Sequence, residues 1–255
     1  NNTSIDVGWS CTAPVGSATY VLVYQEGGTF NSGLSSSPGT TVGTLTSPAG
    51  QNTLYRFQEQ CGVNPVTVAN DPNTLAVDYV DVTVQAPTLS VSMSHSTSPS
   101  SNELVNGQVA ATFSTSVGGT AAGSIAYTFN CGNGTANQTA NTTNANQQFS
   151  CTYTSTGSFT PTLTVTRSSL SANDNDSLTI YNLTTCSPSS QTVYTNLPAS
   201  FSASGGNTQY SWVASGGNPS SGNGSSFSTS YSSGGSKTVT LSSTNGGSTT
   251  CGVTV

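Results

Sequence analysis

The sequence predicts an all-β protein built as three tandem sandwiches, and four observations predict it. Short runs in which apolar residues alternate with Ser or Thr recur at intervals of roughly 8–12 residues, separated by Gly, Ser, Asn and Pro. No stretch keeps a helical period over three turns. Six cysteines fall in pairs, one pair per third of the chain: Cys11 and Cys61, Cys131 and Cys151, Cys186 and Cys251. Finally, 255 residues is long for one sandwich and comfortable for three of about 85.

Strands are expected over residues 19–24, 79–84, 159–166, 201–203 and 238–241. Ser and Thr on the outward face suit strands and keep the surface wet without charge. The first domain boundary is expected at Ala86-Pro87, after the run 80–84, and the second near residues 182–185, after 178–181. The domains are therefore 1–86, 87–182 and 183–255, with one intradomain disulfide each. Junctions this short are not flexible Gly/Ser tethers, so an elongated rod is expected. Asp174-Asn175-Asp176 reads as a hairpin turn, since Asn and Asp tolerate turn conformations.

Composition narrows the function classes. Only 5% of residues are charged, the basic residues are Arg56, Arg167 and Lys237, and His95 is the single histidine. The net charge is −6 and the pI about 4.1. Nucleic acid is disfavoured as a partner, because phosphate binding needs clustered Lys or Arg. An even cysteine count in so charge-poor a chain fits an oxidising, extracellular compartment. A disulfide closing a loop of tens of residues adds roughly 3–4 kcal/mol in the chain-entropy model. There is no CxxC, and the histidine is not beside a cysteine, so no zinc site and no cofactor is expected. No apolar run approaches the ~20 residues that span a bilayer, so membrane insertion is not expected. A mature chain whose leader has been removed, and which continues beyond residue 255, is the expectation. N-x-Ser/Thr sequons stand at Asn1, Asn2, Asn133, Asn137, Asn141, Asn175, Asn182 and Asn223. The group Asn133, Asn137 and Asn141, in one polar loop, is the best candidate for occupancy.

The middle segment resembles the PKD (polycystic kidney disease) family of immunoglobulin-like sandwiches. That family carries W-D-F-G-D-G-T, then H-x-Y, then G-x-Y-x-V-x-L-x-V. Here Phe129-Asn130-Cys131-Gly132-Asn133-Gly134-Thr135, Cys151-Thr152-Tyr153 and the run from Gly157 through Phe159 and Leu163 to Val165 stand in those places. Cys131 and Cys151 replace two larger residues of the motif, and the resemblance implies that they pair. The last segment is a looser match, with Tyr210-Ser211-Trp212 as its core aromatic strand, and Cys186 and Cys251 would pair if the first and last strands adjoin. The first segment resembles fibronectin type III, with Trp9 as the core tryptophan and Cys61 ending a far strand, so that Cys11–Cys61 would bridge two sheets. These resemblances imply three immunoglobulin-like sandwiches with Trp9 and Trp212 buried, in a protein of the spacer or adhesion kind.

Candidate sites are few. His95, in Ser94-His95-Ser96, lacks a visible orienting carboxylate and a nucleophile elbow, and reads as a solvated loop histidine rather than a catalyst. Asp174 and Asp176 are weak calcium candidates, and Asp71, Asp78 and Asp81 form a second acidic group. The runs 3–10 and 251–255, with Ile5, Val7, Val253 and Val255, are candidates for strand exchange, the second as an edge or final strand. The expected function is a non-catalytic extracellular building block of a cell-surface assembly: a filament, sheath, S-layer or adhesive stalk. The expected partners are further copies of itself and glycans. An adhesin or carbohydrate-binding accessory module, or a viral fibre or capsid decoration, is the alternative.

Overall fold

A computed structural model describes residues 2–6, 18–25, 41–46, 52–62 and 74–255. Among them there is no helix; every regular element is a strand. Cα proximity gathers the chain into two compact units. One comprises residues 1–90, 118–124 and 166–171, the other 91–117, 125–165 and 172–255.

In the first unit, β1 (Asn2–Asp6) pairs antiparallel with β3 (Thr41–Thr46). The register shifts between Ser4 and Asp6, which places Ile5 at a bulge. A second sheet orders β2 (Ala18–Gln25), β4 (Thr53–Gly62) and β5 (Thr74–Val84), with β4 central. The strands expected at 19–24 and 79–84 lie within β2 and β5. Cys61 sits near the end of β4 opposite Ala76, while Trp9, Cys11, Val7 and Asp71 lie outside the described residues.

The second unit holds most of two sandwiches of one plan. In the first of them, β6 (Ser90–Ser98), β7 (Val109–Gly118) and β10 (Gln148–Tyr153) form a sheet in the order β10-β7-β6. Facing it, β8 (Ile125–Asn130), β9 (Gln138–Thr142), β12 (Thr162–Arg167) and β13 (Leu170–Asn175) run in the order β13-β12-β8-β9. A two-stranded ladder joins β11 (Gly157–Phe159) to β14 (Leu178–Ile180). The run expected as one strand over 159–166 is thus two strands in two sheets. Thr160 and Pro161 separate them, since proline has no N–H for a ladder.

Strict alternation builds the interior. Val109, Ala111 and Phe113 of β7, Ile125, Tyr127 and Phe129 of β8, and Phe149, Cys151 and Tyr153 of β10 are all buried, and their neighbours in sequence face out. Phe129 stacks on Phe149 at 4.8 Å and lies 5.0 Å from Phe113. Burying aromatics of this size is the main driving force available to so small a domain.

In the last sandwich, β15 (Thr185–Ser187), β17 (Pro198–Ser204) and β20 (Ser226–Ser230) form one sheet. The other runs β16-β22-β21-β18-β19, from β16 (Ser190–Thr192), β18 (Tyr210–Ala214), β19 (Ser221–Asn223), β21 (Ser236–Ser243) and β22 (Ser248–Thr254). Its core gathers Phe201, Trp212, Phe227, Tyr231, Val239, Leu241 and Val253 around a Trp212 that is 1% exposed, as the resemblance implied.

Both sandwiches share a sheet switch. After β15 the chain crosses to the opposite sheet, where β16 pairs parallel with the last strand, β22. After β6 it makes the same crossing, and Glu103 bridges parallel to Tyr181 just past β14. This two-sheet arrangement is that of an immunoglobulin-like sandwich. Its consequence at the C-terminus is a correction: β22 lies between β16 and β21, so residues 251–254 form an interior final strand and not an edge.

Candidate functional site

Two disulfides are formed where the cysteine pairs predict them. Cys131, just past β8, joins Cys151 on β10 with Cα atoms 5.9 Å apart, and Cys186 on β15 joins Cys251 on β22 at 6.4 Å. Each ties one sheet of its sandwich to the other. Cys131 also holds Tyr153, whose hydroxyl donates to the Cys131 carbonyl at 2.8 Å. Burial, with the charge of Asp176 adding to it, pushes the Tyr153 phenol from 10.0 up to about 12. The folded chain then holds this proton more tightly than the unfolded one. The stabilisation is complete below pH 10 and is lost as pH rises through 12, about 3 kcal/mol in all. Denaturant unfolding across that window should show the loss, and Tyr153→Phe should remove its share of the slope.

His95 is not a loop residue. It lies on β6 with its side chain half-buried, and its Nδ1 is 2.6 Å from Asp176 Oδ2. Its ring packs 5.8 Å from Phe113. The sequence hides this carboxylate because it is 81 residues away. Asp174 acts beside it: its Oδ2 accepts from the Met93 amide at 2.7 Å. The pair therefore sits at the end of β13 and reaches across to β6, and the expected hairpin turn falls instead at Ser168-Ser169, with Ser168 at φ 55°. Asp174 and Asp176 close one side of the sandwich where β6 and β13 would otherwise be open edges. Among the described residues no three His, Cys, Asp or Glu side chains gather as a metal site. In the first unit, Asp78 stands opposite Glu59 and Asp81 opposite Arg56 in the ladder.

The most elaborate polar site is one the sequence did not single out. Glu103 is 2% exposed, at the joint between the two sandwiches of the second unit. The Thr184 hydroxyl donates to its Oε1, and Ser243 Oγ and Asn245 Nδ2 each stand 3.3 Å from the same oxygen. Asn245 Nδ2 also donates to the Ser101 carbonyl at 2.6 Å. Thr184 is itself 1% exposed and Ser243 5%. The donors are neutral, so the carboxylate is solvated by hydroxyls and an amide rather than by a counter-ion. Three segments make this cage: the crossing after β6, the connection at Thr184 and the turn from β21 to β22. Gly206 and Gly247 are required beside it. A Cβ on Gly206 would overlap Thr184 Oγ1 and Ser243, and one on Gly247 would overlap the Glu103 carboxylate. Glu103 was visible only as an isolated acid in Ser101-Asn102-Glu103-Leu104. Nothing local marks it, since its partners lie 81 to 142 residues on.

The sequons sort by geometry. Asn133 is half-buried, and its Nδ2 donates to the Thr152 carbonyl at 3.0 Å. Asn137 Oδ1 accepts from Asn130. Asn182 is exposed, but its sequon threonine is the buried Thr184. Asn141 is on β9 rather than in a loop, Asn175 ends β13 and Asn223 ends β19, all exposed. Asn2 lies on β1. Of the strand-exchange candidates, Ile5 is at the β1 bulge, Val253 is 2% exposed within β22 and Val255 packs against the last core. Tyr194, 82% exposed, and Leu197, 52% exposed, form a small apolar protrusion between β16 and β17.

No family model matches the chain. No curated protein matches it either. Among solved structures it is similar to the C-terminal 282-residue fragment of intimin, in complex with the intimin-binding domain of the translocated intimin receptor, at 18% identity and a TM-score of 0.43. That similarity covers 67% of this chain and 64% of the fragment, so the chain spans less than two thirds of its length. It is also similar to the four N-terminal Ig domains of Dscam1 isoform 7.44, at 9% identity, 92% and 90% coverage and a TM-score of 0.27. A 1.5-MDa bacterial ice-binding adhesin matches at 12% identity, 93% and 84% coverage and a TM-score of 0.29.

Proposed function

We propose that this chain is a non-catalytic extracellular structural protein, a building block of a cell-surface assembly such as a filament, sheath, S-layer or stalk, made of domains 1–86, 87–182 and 183–255. The observation that carries this reading is the Glu103 joint: two disulfide-stapled sandwiches are keyed together by a buried polar cage, which costs desolvation and is useful where a fixed domain geometry matters. Outward strand faces rich in Ser, Thr and Asn, with glycans on exposed sequons, suit a durable surface outside the cell. Copies of the chain associate by strand pairing. The run at Ile5 is the better donor candidate, because exchange at Val253 and Val255 requires β16 to leave β22. Sedimentation and electron micrographs of the purified chain at rising concentration should show a polymer or lattice. A chain that stays monomeric, with no polymer in its source material, sinks the proposal.

Tyr194 favours a second reading, a carbohydrate-binding or adhesive module, because sugar recognition uses exposed aromatic faces and this one is 82% exposed. Tyr194→Ala should change stability by less than about 0.5 kcal/mol. A specific glycan-array signal that this substitution abolishes would establish the second reading.

A further inference from the structure

We propose that Asn141 and Asn223 carry N-linked oligosaccharides that cap corresponding strand edges of the two sandwiches, so that no second copy adds a strand there. This rests on the extracellular, self-associating reading above. Both asparagines lie on the last strand of their sheet: β9 ends the order β13-β12-β8-β9, and β19 ends the order β16-β22-β21-β18-β19. They also hold the same position in the two ladders. Asn141 faces Ala126, the second residue of β8, and Asn223 faces Ser211, the second residue of β18. The neighbouring pair in each ladder sets a small residue against a buried aromatic, Ala140 against Tyr127 and Gly222 against Trp212.

Asn141-Thr142-Thr143 and Asn223-Gly224-Ser225 share only the asparagine and a hydroxyl two residues on. The recurrence therefore points to a use for a sugar at this place. The local geometry accepts one. Both side chains are exposed, and neither amide bonds to any described residue. The contrast is Asn133, whose amide is already spent on Thr152.

An unguarded end strand presents a row of N–H and C=O groups that another chain can pair with. The side formed by β6 and β13 is closed by Asp174 and Asp176. β9 and β19 carry no charged residue, so charge does not protect them. A branched sugar on the outer strand is a steric substitute for that charge. It leaves association to other strands.

Intact glycopeptide mass spectrometry of the protein from its source should find both Asn141 and Asn223 modified; either one bare overturns the proposal. The doubly substituted chain Thr143→Ala, Ser225→Ala, made in the same source, removes both sequons at exposed positions. It should sediment as larger, sideways-associated species at a concentration where the native chain does not. Asn141→Gln with Asn223→Gln should behave the same way, which controls for any local effect of alanine. Unchanged sedimentation of both variants overturns the capping role. Bare asparagines in a chain that nevertheless polymerises would refute the cap and leave the building-block reading standing, and a glycosylated monomer would do the reverse.

Discussion

With alanine at both Cys186 and Cys251, the last sandwich is expected to lose about 4 kcal/mol of stability in the chain-entropy model. The bond closes a loop with a sequence separation of 65, against 20 for Cys131–Cys151, whose removal is expected to cost about 3 kcal/mol. Structure adds to the first figure. β15 and β16 are three residues each, held by one short ladder apiece, to β17 and β22. Cys186 is the covalent tie between that fragile entry and the buried end of the fold at Cys251, which is 1% exposed. Without it, amides of β15 and β16 should exchange with solvent well before those of β18 and β21. Urea unfolding followed by Trp212 fluorescence measures the loss, since the ring is fully buried in this core. A larger loss from the Cys131–Cys151 pair than from the Cys186–Cys251 pair would contradict the loop-length argument.

Alternation made most of this fold legible. A strand whose apolar residues recur with period two must put them on one face, so the runs at 201–203 and 238–241 fall inside β17 and β21; that Trp212 lies in a core was implied by the PKD-like resemblance. The cysteine pairings came instead from one pair per third of the chain and, for Cys131 with Cys151, from their places in the PKD-like motif. Three things were hidden, and each depends on residues distant in sequence. His95 looked solvated because Asp176 comes within reach only when β13 folds beside β6. The C-terminal run reads as an edge or final strand; it is the final strand, and that it is not an edge was hidden because its parallel partner β16 is three residues of Ser, Gln and Thr with no apolar signal. Glu103 looked unremarkable because its cage is drawn from Thr184, Ser243 and Asn245. Pattern rules find faces; they do not find the polar contacts that fix one sandwich against another.

Those contacts yield the sharpest expectation. Gly247→Ala should destabilise the chain by roughly 3–5 kcal/mol, because hydrogen bonds to a charged group are worth about 1.5–3 kcal/mol each and a buried acceptor stripped of them keeps its desolvation cost. The three atoms nearest the added methyl all belong to the Glu103 carboxylate, so the carboxylate must leave its cage or the turn from β21 to β22 must open. Backbone strain does not enter, since Gly247 is not among the glycines with positive φ. That specificity makes a double-mutant cycle decisive. Glu103→Ala alone should cost about 2 kcal/mol, less than the clash, because Thr184 and Ser243 remain bonded to each other at 2.9 Å. Adding Gly247→Ala to Glu103→Ala should then cost almost nothing, because the obstacle is gone. The signature is a coupling of several kcal/mol in the stabilising direction between residues 144 positions apart in the chain, a separation that only the folded joint can bridge. Additive losses would mean that the carboxylate does not organise the joint. In calorimetry, loss of the key should also split the unfolding of the two sandwiches, from one transition in the native chain to two in Gly247→Ala. Separate transitions of these two sandwiches already present in the native chain would show that the cage orients them without coupling their stability.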